Sequence, residues 1–194
     1  MSEEKEEVKF NEISEDKTPD TKSKGRLFFD FLKETVFIII AAFLISLIIR
    51  FFVVEAFNIQ QHSMEPTLHD GERVLVSKFI YRFTPTSYGD IIILESPMNS
   101  SDFVKRVIAT EGETVELKEG ELLIDGKAIE EPYIKFVDLS NYGPVEVPED
   151  KIFVAGDNRP NSLDSRIFGP IPEDNVVGKV FFIYWPMDRI GFVK

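Results

Sequence analysis

The order of apolar and polar positions divides the chain into three stretches. Residues 1–34 are polar and charge-dense and carry no apolar periodicity. Such a segment buries too little surface to offset chain entropy, which predicts a disordered tail on the cytoplasmic side of a membrane. From 35 to 49 no charge interrupts TVFIIIAAFLISLII, and after Arg50 the apolar run resumes as FFVV to residue 54. A run of about 20 residues rising 1.5 Å each spans roughly 30 Å, the hydrocarbon thickness of a bilayer, so 35–54 is predicted to be a transmembrane helix. Arg50 can extend to the headgroups, and Phe51 and Phe52 suit the interfacial zone. Lys22, Lys24, Arg26 and Lys33 precede the run, and no Lys or Arg occurs between 54 and 72, which predicts a cytoplasmic N-terminus with the remainder outside. A cleaved secretory signal is the competing reading. Its apolar core is normally shorter and ends at a small-x-small site, suggested here only by Ala56, so an uncleaved anchor is expected.

Beyond residue 54 the pattern changes to short β-branched and aromatic runs broken by Gly, Pro, Asn and Asp. Strands are predicted at 73–79, 90–96, 103–109, 114–119, 121–124, 151–157 and 176–185. In ELLIDGKAIE, Asp125-Gly126 separates two short runs and predicts a hairpin turn. No internal repeat occurs, and no helical pattern of useful length lies outside the anchor. The expected fold is therefore mainly β: a compact, partly closed, barrel-like domain of short antiparallel strands over 55–194, preceded by one N-terminal transmembrane helix.

Charge and composition narrow the chemistry. With 22 basic and 34 acidic residues the net charge is −12, which removes the attraction to phosphate on which nucleic-acid binding rests. No cysteine is present, so disulfides, a thiolate nucleophile and a Cys-based zinc site are excluded. His62 and His69 are the only histidines, too few for a His-rich metal site. Neither metal nor cofactor is expected.

Three segments carry candidate chemistry. Ser63 lies in NIQQHSMEPTLHDG, just past the apolar run, and as a nucleophile it needs a base. His62 adjoins it, and successive side chains of an extended segment point to opposite faces. His69 could fold back through a turn at 65–66, but no acid partner other than Asp70 is evident, so a Ser/His/Asp arrangement is the weaker option. Lys105, in SDFVKRVIATEGE, falls by strand alternation on the face of Phe103 and Val107. Burial there lowers a lysine pKa from its usual value of about 10.4 and frees the amine to accept a hydroxyl proton. The alternative is a lysine whose stem covers apolar surface while its head stays in water, and spacing alone leaves both open. The third segment, AGDNRPNSLDSRIFG, packs Asp157, Asn158, Arg159, Ser162, Asp164, Ser165 and Arg166 into a tight loop. It reads as a loop held by Asp/Arg pairs. A calcium loop is disfavoured by its two arginines and by the absence of EF-hand spacing.

Taken together, SMEPTL, FVKRVIA and GDNRPNSLDSRIFG, in that order behind an apolar anchor, closely resemble the bacterial type I signal peptidase family. The resemblance runs from the anchor to Trp185. It implies a membrane-anchored serine endopeptidase that removes signal peptides from exported preproteins after small residues at −1 and −3, using a Ser/Lys dyad. Ser63 then corresponds to the nucleophile and Lys105 to the general base, while Ser162 hydrogen-bonds the lysine amine and supports the dyad. Asp164 and Arg166 match a supporting ion pair, and Asp157, Asn158 and Arg159 match residues that shape the loop. For the oxyanion the expected donors are the Ser63 backbone N–H and the side chain two residues before it. The family commonly has serine there, whereas this chain has Gln61, within Gln60-Gln61-His62.

The substrate is expected to lie extended along 57–61 and 102–104. Phe83, Phe181, Phe182 and Trp185 are either core aromatics or residues that enter the membrane surface. The implied partners are signal-peptide-bearing preproteins, the lipid bilayer and, by proximity, the secretion translocon. The implied location is the bacterial cytoplasmic membrane, crossed once. A second option, motivated by the Gln60-Gln61-His62 departure, is a weak or specialised relative that binds or processes a narrow set of envelope proteins.

Overall fold

The structure is a computed structural model, which describes residues 21–48, 54–98 and 101–193. The chain divides into two units, at residues 1–46 and 47–194. Most of helix α1 (Thr21–Ile48) lies in the first, and along it Leu27, Phe31, Phe37, Phe43 and Ile45 are exposed. Among the described residues no helix is long and apolar enough to cross a membrane. Of the anchor expected over 35–54, the part to residue 48 is helical and 49–53 lie outside the described residues. Two boundaries differ from expectation. Residues 21–34, expected as tail, form the first half of α1, because extending an existing helix is far easier than nucleating one and Leu27, Phe28, Phe31 and Leu32 continue its apolar pattern. Residues 1–20 of the expected tail lie outside the described residues. Val54, expected to end the anchor, opens a strand, since its backbone pairs with Ser77.

The second unit is mainly β. In chain order its strands are β1 (Val54–Asn58), β2 (Arg73–Ser77), β3 (Ile91–Glu95), β4 (Asp102–Ala109), β5 (Thr114–Lys118), β6 (Glu121–Ile124), β7 (Lys127–Ile129), β8 (Tyr142–Glu146), β9 (Lys151–Ala155), β10 (Ile171–Pro172), β11 (Val176–Trp185) and β12 (Gly191–Phe192). A one-turn helix, α2 (Ser165–Phe168), follows β9. The larger sheet runs β1-β2-β11-β3-β4-β9-β10, with β12 on β11, and it curls into an open half-barrel. The smaller sheet runs β7-β6-β5-β8. Register shifts interrupt β4 between Val107 and Ala109 and β11 between Val180 and Phe182, and such bulges bend and twist a sheet.

Burial explains the sequence pattern. Strand β3 is apolar at four successive positions because both its faces are covered: Ile91 and Ile93 join the core with Met64, Leu68 and Val74, while Ile92 and Leu94 join Phe103, Val107 and Ile152. A third core, around Val115, Leu122 and Phe153, lies between the smaller sheet and β9. Asp125 and Gly126 join β6 to β7 and both have positive φ, as a two-residue hairpin turn requires. Strands β8, β10 and β12 went unread because two residues carry no period and Gly143-Pro144 in β8 reads as a breaker.

Candidate active site

Ser63 follows β1 in a turn held from below. Met64 and Leu68 are both fully buried in the first core, and the Leu68 N–H donates to the Met64 carbonyl over 2.9 Å. The turn is therefore anchored by apolar burial on either side of a polar rim. Lys105 lies in the middle of the larger sheet, on β4 between β3 and β9. It is 1% exposed, against 6% for Ser63. Its Nζ donates to Ser63 Oγ over 2.8 Å and to the Val104 carbonyl over 3.1 Å, and sits 5.1 Å from the centroid of the Phe103 ring. Burial pushes the lysine down from 10.5 to about 8, Asp164 working against that and Arg166 with it. A lysine so placed titrates close to the neutral range, where an amine can exchange protons with a hydroxyl.

The loop after β9 closes over this pair. Asn158 donates from its backbone N–H to the Ser63 carbonyl (2.9 Å) and from Nδ2 to the His62 carbonyl (3.1 Å), so it fixes the peptide units on both sides of the Ser63 Cα. Gly156 passes so close that any Cβ there would overlap the Ser162 hydroxyl and the Ser63 carbonyl. Asp157 is fully buried and accepts two bonds from Arg106, from Nε at 2.9 Å and Nη2 at 2.7 Å, as well as one from Thr67 Oγ1. Asp164 takes Arg166 Nε and Nη2, each at 2.8 Å, and also accepts the Gly156 N–H. Arg159 donates to the Gly156 carbonyl and to Glu131.

A cleft of about 520 Å³ opens on the pair and includes Gln61, Ser63, Phe103, Lys105, Ser162 and Ile167 in its walls. A second, of about 360 Å³, is walled in part by Phe57, Asn58, Gln60, Gln61, Asp102 and Val104, so Gln61 borders both. Ser162 is in the first cleft, but its expected hydrogen bond to the lysine is not made: its Oγ is buried without a partner among the described residues. The Ser162 side chain packs against Gly156. Neither histidine serves Ser63. His62 Nδ1 is bonded to Glu65 Oε1 at 2.8 Å, and the Glu65 carboxylate holds the imidazole above its ordinary 6.5, while His69 Nδ1 lies 3.9 Å from the same oxygen. Among the described residues no group of three or more His, Cys, Asp or Glu is placed to hold a metal ion.

Residues 32–185 match the family described as signal peptidase, peptidase S26. The chain belongs to this signal peptidase family. It is 40% identical to a probable signal peptidase I-1 from Synechocystis over 83% of this chain and 86% of the relative, and 41% identical to signal peptidase I T of Bacillus subtilis over 80% and 86%. A crystal structure of a signal peptidase I from Enterococcus faecalis aligns at 33% identity with a TM-score of 0.45, covering 50% of this chain and 97% of that one. The protein is thus a serine endopeptidase of the signal peptidase type, acting on preproteins that bear signal peptides.

Several residues around the site of this signal peptidase were not legible in its sequence. Arg106 neighbours Lys105 and looks like a second strand cation, yet it is the buried partner of Asp157, and its guanidinium stacks 3.8 Å from the centroid of the Tyr133 ring. No charge imbalance in the loop points to it, since Asp157 and Asp164 stand there beside Arg159 and Arg166. Glu131 and Asp138, which hold Arg159 and Arg166, stand in a segment with no periodicity or motif.

Proposed function

We propose that Ser63 is the nucleophile and Lys105 the general base with which this signal peptidase cleaves preproteins. The observation that carries the proposal is the 2.8 Å contact between Lys105 Nζ and Ser63 Oγ on a lysine 1% exposed. With the amine neutral, the Ser63 hydroxyl donates to the Nζ lone pair. Oγ attacks the scissile carbonyl as its proton passes to Nζ, and the resulting ammonium delivers that proton to the departing amine, leaving an acyl-enzyme. Water, deprotonated by Lys105, then attacks the ester, and the proton returns to Ser63 as the acid product leaves. The Ser63 backbone N–H and the Gln61 amide are the proposed oxyanion donors. Ser162 supports the dyad by rotating its unpartnered hydroxyl toward Nζ when substrate fills the cleft.

The substrate backbone lies extended along 57–61 and 102–104, with small side chains at −1 and −3. Strand β1 is an end strand of its sheet, which leaves an edge for such pairing. The apolar run from residue 35 up to strand β1 acts as a single anchor in the bacterial cytoplasmic membrane, with the N-terminus cytoplasmic and the catalytic domain outside. Preproteins are themselves held at the bilayer and translocon by their signal segments, so tethering raises the effective concentration of scissile bonds. Phe83 and Trp185 are exposed, 73% and 46%, and are the aromatics available to enter the membrane surface, whereas Phe181 and Phe182 are half-buried.

The test is incubation of a purified preprotein with the protein in lipid, beside Ser63→Ala, followed by N-terminal sequencing of the product. One new N-terminus at the signal junction, absent with the mutant, is expected. Equal cleavage by Ser63→Ala would refute the nucleophile. No cleavage of several preproteins by folded wild type would favour a binding role instead.

A further inference from the structure

The segment between β7 and β8 contacts the loop over Ser63 at three places and strand β4 at a fourth. Glu131 Oε1 accepts from Arg159 Nη2 at 2.5 Å, with the two side chains 8% and 3% exposed, and the same oxygen accepts from Tyr133 O–H at 2.7 Å. The Tyr133 ring lies against the Arg106 guanidinium, the partner of Asp157. Phe136 makes an isolated parallel bridge with Asn158. Asp138 accepts from Arg166 Nη1 at 2.8 Å while Arg166 Nε and Nη2 grip Asp164.

Arg159 and Asn158 carry these contacts toward the dyad. Arg159 Nε donates to the Gly156 carbonyl at 3.1 Å, and Gly156 is wedged between the Ser162 hydroxyl and the Ser63 carbonyl. Asn158 in turn donates to the carbonyl of Ser63. The loop is too short and too polar to hold this arrangement by apolar packing: Arg159, Asp157 and Asp164 are its buried charged side chains, and each is answered by an opposite charge. For Arg159 that charge is Glu131.

We propose that Glu131 is a positioning residue of the peptidase: through Arg159 it sets where Gly156, and with it the Ser162 hydroxyl and the Ser63 peptide, stand relative to Lys105. The inference rests on the Ser63/Lys105 assignment. Glu131 touches no reacting atom, and its effect falls on the chemical step because the wall it braces is the one behind the dyad. The cleft along 57–61 and 102–104, where the substrate backbone binds, has no part in the brace.

The experiment is Glu131→Gln, which keeps the shape and removes the charge, with Glu131→Asp as the charge-retaining control. Active sites are counted by titration with an acylating inhibitor, and labelling of wild type is mapped by mass spectrometry. Expected is a fall of about 10-fold or more in kcat per titrated site for Glu131→Gln with KM within about 2-fold, and partial recovery in Glu131→Asp, since a misplaced catalytic group costs rate steeply. The acid limb of the kcat profile should also move upward as water reaches the lysine. Unchanged kcat per titrated site with an unmoved limb, whatever happens to Tm, would reduce Glu131 to a stabilising residue and overturn the proposal. If Glu131→Gln does not fold, Glu131→Asp decides alone: lowered kcat per site supports positioning, and a wild-type value refutes it. Wild-type labelling away from Ser63 would instead refute the dyad assignment, which keeps the two failures apart.

Discussion

A lysine shut in an apolar wall is costly as an ammonium and useful as an amine. With Lys105 near 8, about one amine in ten is neutral at pH 7. The linkage has a definite sign: because the folded pKa lies below the unfolded one, the folded state binds fewer protons between about 8 and 10.5, and stability rises with pH across that window. Below it the buried charge is a standing cost. Lys105→Met is therefore expected to be inactive yet, at pH 7, to unfold at a temperature no lower than wild type, checked by thermal melts of both. Lys105→Arg places a group that does not lose its proton beside Ser63 and should lower kcat by about 10²–10⁴-fold, the range for losing a general base. Gln61 borders both clefts, and as an oxyanion donor its replacement by Ala should cost about 10²-fold in kcat on a preprotein. Unchanged turnover would remove it from that role.

Strand β4 and the loop after β9 are the elements that make the site, and they were legible to different degrees. Alternation in FVKRVIA is enough to put Lys105 on the face of Phe103 and Val107, since a strand has only two faces. The loop offered a dense set of polar side chains but not their partners. Glu131 lies 28 positions from Arg159 and Asp138 lies 28 from Arg166, so no local rule connects them. Ser162 is the clearest difference: the resemblance implied a bond to the lysine, and its hydroxyl lies against Gly156 without a partner among the described residues. Arg106 and Asp157 fasten the loop to β4 with two bonds, at side-chain exposures of 3% and 0%. Replacing one member strands the other as an unpaired buried charge. Asp157→Ala should lose about 3–5 kcal/mol in denaturant unfolding, far more than an exposed pair. A loss under about 1 kcal/mol would mean that water reaches Arg106 in the folded state.

At the scale of the whole molecule, periodicity was enough for a mainly β domain, because short runs punctuated by Gly, Pro and Asp permit little else, while two-residue strands left no readable pattern and the apolar positions at the start of α1 stand among dense charge. With the anchor proposed in the apolar run before β1, the full chain should sediment with membranes and resist alkaline extraction, whereas release at high pH would contradict a spanning helix. The central claim, a Ser63/Lys105 dyad without histidine, is tested most directly by the pH dependence of kcat/KM on a preprotein. With Lys105 as the base, the rate should rise through an acid limb near 8, and replacing His62 and His69 should leave the limb in place. A limb near 6.5 that disappears with either histidine would contradict it.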